Sequence, residues 1–145
     1  MLTRPSARRA SVIAGGVIFV IAVALGIMKL ISPPSVKLQK HVTLVYIGAE
    51  NCAPCRIWQR GEGVAFHDSI EFARLSYREV KSPTLFDVLS DDNWPDDLRD
   101  YRQAIGQEAA VPLWLVIADG RMVMQGFGLT QWKEAVLPRV KSLLH

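Results

Sequence analysis

The sequence predicts an α/β domain, residues 41–145, that follows one N-terminal transmembrane helix. Residues 10–28 contain no charged side chain, and such a run is close to the length that crosses a bilayer. Beyond it, apolar segments of strand length alternate with helical patterns. The chain has 145 residues, half of them hydrophobic, which excludes a disordered protein and fits a single globular domain behind the apolar segment.

The N-terminal region is predicted to have three parts. Residues 1–10 form a short cytoplasmic tail, residues 11–31 a transmembrane signal anchor, and residues 32–40 a polar linker that begins after the helix is stopped by prolines. Three arginines precede the apolar run, so the positive-inside rule places the N-terminus in the cytoplasm and exports the domain.

A cleavable signal peptide is the alternative for the same segment. Ala22, Val23 and Ala24 supply a small-residue cleavage pattern after an apolar core. The apolar run continues beyond Ala24, and cleavage there would leave an apolar new terminus, which favours the retained anchor. Both interpretations place residues 41–145 outside the cytoplasm.

The charge distribution argues against a nucleic-acid partner. Lysine and arginine number 17 against 14 acidic residues, for a net charge of +3. No acidic residue lies before Lys29, so the basic surplus belongs to the N-terminal flank and the domain itself is close to neutral. No stripe of basic residues remains to neutralise phosphates.

The first half of the domain is predicted as strand, helix, strand. Residues 41–48 form a strand buried on both faces, and residues 56–60 continue a helix that is interrupted at Gly61 and Gly63. Residues 72–80 alternate apolar and charged side chains, which is typical of a half-exposed edge strand.

The second half is predicted as helices, a hairpin and a closing helix. Helices are expected at residues 83–90 and 95–105, and strands at 113–118 and 121–127. An Asp-Gly pair forms the hairpin turn between these strands. The last helix begins at Thr130 as its N-cap, and Pro138 is expected to kink it.

The chemistry is predicted at Cys52 and Cys55, the two cysteines of the chain. They follow a buried strand directly and stand where a helix begins. A helix N-terminus stabilises a thiolate and lowers the pKa of the Cys52 thiol, so Cys52 is the predicted attacking sulfur. Pro54 fits the first turn of the helix, and Cys55 is close enough to resolve a mixed disulfide.

With this order of elements and the pair Val111-Pro112 ahead of the third strand, residues 41–145 resemble the thioredoxin superfamily. The resemblance implies a minimal thioredoxin-like fold, a four-stranded mixed sheet with flanking helices. It also implies that Pro112 is a cis-proline facing Cys52 and Cys55, and that Val111 positions a bound substrate strand through its backbone. An ordinary trans proline opening a strand is the alternative for this pair.

The sequence departs from the family pattern in three places. Glu50 and Asn51 stand where a tryptophan usually precedes the first cysteine, and Tyr46 replaces the buried acid that thioredoxins carry. Glu50 is a candidate base, although its place in a loop favours a simple exposed carboxylate. Residues 82–110 are longer than the corresponding stretch of thioredoxin and rich in aspartate, which is expected to cap and solvate helices or to dock a basic partner.

Other roles for the cysteines remain open. A structural disulfide of this spacing closes too small a loop to stabilise much. A zinc site lacks a second cysteine pair, although His41 and His67 are candidate additional ligands. Cu(I) handling by the two soft sulfurs is the main alternative to redox chemistry.

The sequence and the resemblance together predict a thiol–disulfide oxidoreductase, more a reductant than an oxidant, that acts on exported protein thiols or disulfides. Cys52 and Cys55 are the catalytic, redox-active pair, and Val111 and Pro112 position the substrate. No cofactor and no bound metal are implied. A single-pass protein of the bacterial inner membrane with a periplasmic domain is expected, with the bilayer and a membrane electron donor as partners.

Overall fold

Four strands form one mixed sheet in the spatial order β2-β1-β3-β4. The structure, a computed structural model, describes residues 41–106 and 109–145. The strands are β1 (Val42–Ala49), β2 (Ser76–Ser82), β3 (Leu113–Ala118) and β4 (Arg121–Phe127). β1 pairs with β2 in parallel and with β3 antiparallel, and β3 pairs with β4 antiparallel. This is the predicted four-stranded mixed sheet.

The helices pack around this sheet. They are α1 (Ala53–Arg60), α2 (Glu62–His67), α3 (Ile70–Ala73), α4 (Arg99–Ala104), α5 (Gly128–Gln131) and α6 (Leu137–Leu144). Short 3₁₀ turns lie at Asp91–Asn93 and Asp96–Leu98, and a π-helical turn at Trp132–Val136 joins α5 to α6.

The strand predictions hold except at the start of β2. β3 and β4 have the predicted bounds, and β1 is shifted by one residue. β2 begins at Ser76 rather than at residue 72, because Ser69 caps α3 by accepting a hydrogen bond from the Phe72 amide and keeps that segment helical. Its predicted place at the sheet edge is confirmed.

The predicted helix at residues 83–90 is wrong, since this segment consists of turns. Side chains here bond to nearby backbone and to each other: the Ser82 hydroxyl donates to the Thr84 carbonyl, and the Thr84 hydroxyl donates to the Asp87 carboxylate. Such local bonds compete with helical ones. Of the helix predicted at residues 95–105, the α-helical part is Arg99–Ala104.

The closing helix begins earlier than predicted. Thr130 is not its N-cap, because α5 begins at Gly128, whose φ of 78° turns the chain out of β4. Pro138 lies in the first turn of α6, directly after the π-helical turn, so the irregularity predicted at this proline is present.

Alternate residues of the two central strands face two hydrophobic cores. On one face, Leu44, Tyr46, Trp114 and Val116 pack with α1, α2 and the closing helices. The aromatic centre of this core is Tyr46, stacked on Trp58 with ring centroids 4.7 Å apart. The buried members that α1, α2, the π-helical turn and α6 supply are Trp58, Phe66, Trp132, Val136, Val140, Leu143 and Leu144.

Residues 83–106 cover the other face of the sheet. Val88, Trp94, Leu98 and Ile105 pack there against apolar residues of all four strands, with β4 contributing the partly buried Met122. The Trp94 indole N–H donates to the Val88 carbonyl at 3.0 Å. This buried hydrogen bond joins two parts of the same segment.

A buried arginine also holds this segment. Arg102 is 5 % exposed and donates to the carbonyls of Leu89 and Gly106. Its guanidinium therefore links Leu89 to Gly106 at the end of the segment, and these bonds supply donors to two backbone oxygens.

The edge strand β2 carries charged side chains that are paired. Arg78 forms a two-bond ion pair with Asp97, at 2.6 and 3.1 Å. Lys81 lies 2.6 Å from the carboxylate of Glu79. The outer rim of the sheet is therefore polar.

The predicted cytoplasmic tail, membrane anchor and linker, residues 1–40, lie outside the described residues. Within 41–106 and 109–145, none of the helices has the length and apolar character that crossing a membrane requires.

Replacing Gly126 with alanine should destabilise the domain by about 1–3 kcal/mol, the usual cost of overpacking a core. A Cβ at this position would come within 2.6 Å of Val136 Cγ2, and Val136 is fully buried and branched. Chemical denaturation of Gly126→Ala against the unchanged protein measures the loss. Gln125→Ala, on the exposed side of the same strand, is the control and should change stability by less than about 0.5 kcal/mol; equal losses in both variants would contradict the steric explanation.

Candidate active site

The two cysteines lie at the junction between β1 and α1. β1 ends at Ala49 and α1 begins at Ala53, so Cys52 is the N-cap residue and Cys55 lies within the first turn. Their sulfurs form a disulfide, with an S–S distance of 2.05 Å and Cα atoms 5.2 Å apart. The structure therefore joins the residues that the sequence selects as a redox pair.

Cys52 Sγ occupies the position of a helix-capping acceptor. The Cys55 amide donates to it at 3.1 Å, and the N-cap carbonyl accepts from the Arg56 amide at 3.2 Å. Pro54 stands in the first turn, where its missing N–H leaves no bond unmade. When the disulfide is reduced, a donor and the positive end of the helix both favour negative charge on Cys52.

Val111 and Pro112 lie beside the disulfide, as the resemblance implies. The peptide bond between them is cis, and Pro112 is buried. The Val111 carbonyl oxygen is 3.8 Å from Cys52 Sγ, and its side chain packs against the small cluster of Ala49, Cys52 and Cys55. The backbone of Val111 thus lies next to Cys52 Sγ.

The two sulfurs differ in access. Cys55 is fully buried, whereas Cys52 keeps 2 % of its surface exposed. Cys52 is therefore the less enclosed of the two cysteines, and Cys55 is shielded by the surrounding residues. The Glu50 side chain is exposed, and the Glu50 backbone accepts from the Arg56 guanidinium at 2.6 Å and donates to Ser82 at 3.0 Å, so Glu50 serves mainly as a fixed loop residue.

Asn51 is a site residue that the sequence did not single out. Its side-chain oxygen accepts a hydrogen bond from the Leu85 amide at 2.9 Å, which ties the turn after β2 to the residue before Cys52. An asparagine beside a cysteine has no periodic pattern that would indicate a role. Its hydrogen bond with Leu85 joins distant parts of the chain, so only the folded structure reveals this contact.

Tyr46 lies beneath the first helix rather than in solvent. It is fully buried, and its hydroxyl accepts a hydrogen bond from the Gln59 amide at 3.1 Å, one helical turn after Cys55. Burial raises the pKa of Tyr46 to about 12, with a further contribution from the nearby carboxylate of Glu79. The hydroxyl is therefore a neutral hydrogen-bonding group at physiological pH.

The histidines weighed as metal ligands are not with the cysteines. His67 packs its ring against Phe72 and Tyr77, at centroid distances of 4.7 and 5.1 Å. His41 adjoins the opposite end of β1, where its amide donates to Asp119. Throughout 41–106 and 109–145, no group of three or more His, Cys, Asp or Glu side chains is arranged to hold a metal ion.

Tyr46→Phe tests whether the Tyr46 hydroxyl is a neutral hydrogen-bonding group with a raised pKa. At neutral pH the variant should be less stable by about 1 kcal/mol, since the bond with Gln59 is lost. In the unchanged protein the unfolded tyrosine ionises near its ordinary pKa of 10.0 and the folded one near 12, so stability falls as pH rises between these values. Tyr46→Phe has no ionisable group at this position, so its stability does not fall for this reason. The difference in unfolding free energy between the unchanged protein and Tyr46→Phe should therefore narrow above pH 10. Denaturant unfolding across this range measures it, and a constant difference would contradict the raised pKa.

The chain matches no protein-family model, and no curated protein matches it either. Among solved structures it is similar to the thioredoxin of Malassezia sympodialis, with a TM-score of 0.51 and 14 % identity over 76 % of this chain and 83 % of that one. It is also similar to the thioredoxin of Trypanosoma brucei brucei, with a TM-score of 0.45 and 18 % identity over 72 % and 79 % of the two chains. The sheet order, the placement of the disulfide and the first of these likenesses agree: the chain has a thioredoxin-superfamily fold.

Proposed function

We propose that this chain is a membrane-tethered thiol–disulfide oxidoreductase that acts on exported proteins, more as a reductant than as an oxidant. The observation that carries the proposal is the Cys52–Cys55 disulfide in the first turn of α1, with the Val111 carbonyl 3.8 Å from Cys52 Sγ. Cys52 is the less enclosed of the two cysteines, and the backbone of Val111 adjoins it.

The reduction of a client disulfide proceeds in two exchanges. The Cys52 thiolate attacks one client sulfur, forms a mixed disulfide and releases the other client sulfur as a thiolate. Cys55, after losing its proton to solvent, attacks Cys52 Sγ and releases the second client thiolate. Two electrons pass from the cysteine pair to the client, and both client thiolates take up protons from solvent. An external dithiol donor reverses the steps to restore the reduced pair.

The surroundings of the pair suit this division of roles. The Cys55 amide donates to Cys52 Sγ, which stabilises the thiolate that attacks and that later leaves. Cys55 is buried, so water and small thiols have little access to it before a client is attached. The backbone of Val111 offers an extended client segment hydrogen bonds beside the attacking sulfur.

The compartment and the direction of electron flow are supported by the sequence. The uncharged run at residues 10–28 behind three arginines favours an anchor in the bacterial inner membrane and a periplasmic domain. Ala53 and Pro54 between the cysteines resemble the Gly-Pro of thioredoxin reductants. A membrane-bound dithiol donor would then be required as the source of electrons.

The expected reduction potential of the pair is at or below roughly −220 mV, in the range of reductants. Equilibrating the protein with glutathione or dithiothreitol buffers and counting alkylated thiols measures it. A potential above roughly −180 mV would overturn the reductant role and leave an oxidant or isomerase.

Cys55→Ser should trap mixed disulfides with client proteins in the native membrane, because the resolving thiol is gone. Cys52→Ser is the matched control and should trap far less, since Cys55 is shielded. Non-reducing electrophoresis followed by reduction of the isolated complexes reads the result. Absence of complexes with Cys55→Ser, together with Cu(I) bound by the unchanged reduced protein, would replace the redox function with metal handling.

A further inference from the structure

Phe86 is the most exposed large hydrophobic residue of the described chain. It is 95 % exposed, and its neighbour Leu85 is 45 % exposed. Single exposed apolar residues are common and need no explanation. Here two adjacent ones stand at the tip of a turn, next to the residues that lead into Cys52.

Polar side chains hold this turn in place. Asn51 Oδ1 accepts from the Leu85 amide at 2.9 Å, and the Thr84 hydroxyl donates to Asp87 at 2.7 Å. The Asn93 amide donates to the Asp87 carbonyl at 2.6 Å. An aromatic ring held outward on a braced turn loses little conformational freedom when a partner covers it.

A cavity lies beside this turn. It has a volume of about 440 Å³, and it extends from Phe86 to Ala109. The residues that line it are Leu85, Phe86, Val88, Leu89, Ser90 and Ala109. Ala109 lies two residues before Val111, whose carbonyl adjoins Cys52 Sγ, and Asn51 adjoins Cys52 from the other side.

Charge near the turn favours a polypeptide over a lipid surface. Glu50, Asp87, Asp91 and Asp92 are exposed carboxylates on the segments that flank the cavity. They repel the anionic headgroups that attract peripheral proteins to membranes. They suit a client segment with a basic residue close to its apolar one.

We propose that Phe86 and Leu85 select the clients of the disulfide: unfolded or extended segments that carry a large apolar side chain, with a basic residue nearby, next to the reacting cysteine. The apolar side chain lies in the cavity beside Phe86 while the client backbone runs along Val111. This inference rests on the proposed exchange function and names its substrate class.

The test measures how fast Cys52 of the Cys55→Ser protein reacts with two peptides. Each peptide carries one cysteine as a mixed disulfide with 5-thio-2-nitrobenzoate, flanked by leucine and lysine in one and by serine and lysine in the other. The Cys52 thiolate attacks the peptide sulfur, and the coloured thiolate leaves. The apolar peptide should react about ten-fold faster, as expected when part of one aromatic side chain is buried.

Phe86→Ala should bring the ratio of the two rates close to one. Phe86→Leu should keep most of the faster reaction with the apolar peptide. Ile70→Ala, which removes another exposed apolar side chain at the start of α3, is the matched control and should leave the ratio unchanged. All variants should react equally with 5,5′-dithiobis(2-nitrobenzoate), which has no peptide to recognise. Equal rates for the two peptides, or an unchanged ratio in Phe86→Ala, would overturn the proposal.

Two further outcomes are distinguishable. If Phe86→Ala abolishes binding to anionic vesicles while the peptide ratio persists, the turn contacts lipid, and client selection is wrong. If the Cys55→Ser protein fails to react with either peptide or with the peptide-free disulfide, the proposed exchange function itself fails, and the inference falls with it.

Discussion

The position of Cys52 depends on the burial of β1. This strand is hydrogen-bonded on both sides, to β2 and to β3, and both of its faces lie in hydrophobic cores. It cannot slip by one residue without exchanging Tyr46 and Leu44 for Val45 and Ile47 between the two cores. The end of β1 is therefore fixed, and so is the place where α1 begins and presents its first amides to a sulfur.

The core under α1 is aromatic, and this determines what can lie near the cysteines. Tyr46 stacks on Trp58, and Trp58 contacts Trp114 and Trp132 edge to face, with centroids 5.3 and 5.1 Å apart. Because the buried tyrosine is neutral, Tyr46 places no charge beneath the first helix. The partial positive charge at the N-terminus of α1 is consequently compensated by the Cys52 sulfur rather than by a carboxylate in the core.

The parts that could be predicted from sequence are those with strong local signals. β3 and β4 follow from dense β-branched and apolar residues joined by Asp119 and Gly120, and the cysteine pair follows from its place after a buried strand. The short helices α2 and α3, which follow Gly61, were not predicted, because Gly61 and Gly63 were interpreted as an interruption of the helix. In the structure Gly63 permits a close approach to Trp58 that a Cβ would block at 2.9 Å.

The parts that could not be predicted depend on contacts between distant residues. Residues 83–90 have helical composition, yet hydrogen bonds donated by the Thr84 and Asn93 side chains, and one accepted by the Asn51 side chain, hold them as turns. The exposure of Phe86 follows from those bonds and not from its neighbours in sequence. The prolyl bond at Pro112 was predictable only through resemblance, because local preference favours trans.

The paired charges on the outer strand have a consequence for how the protein behaves among copies of itself. An open strand edge is a template on which another chain can add a strand, and buried or flat apolar edges favour that addition. Arg78 and Lys81 are engaged with Asp97 and Glu79, so a neighbour aligning with β2 would have to desolvate or break these pairs. Copies crowded together should therefore stay separate along this rim.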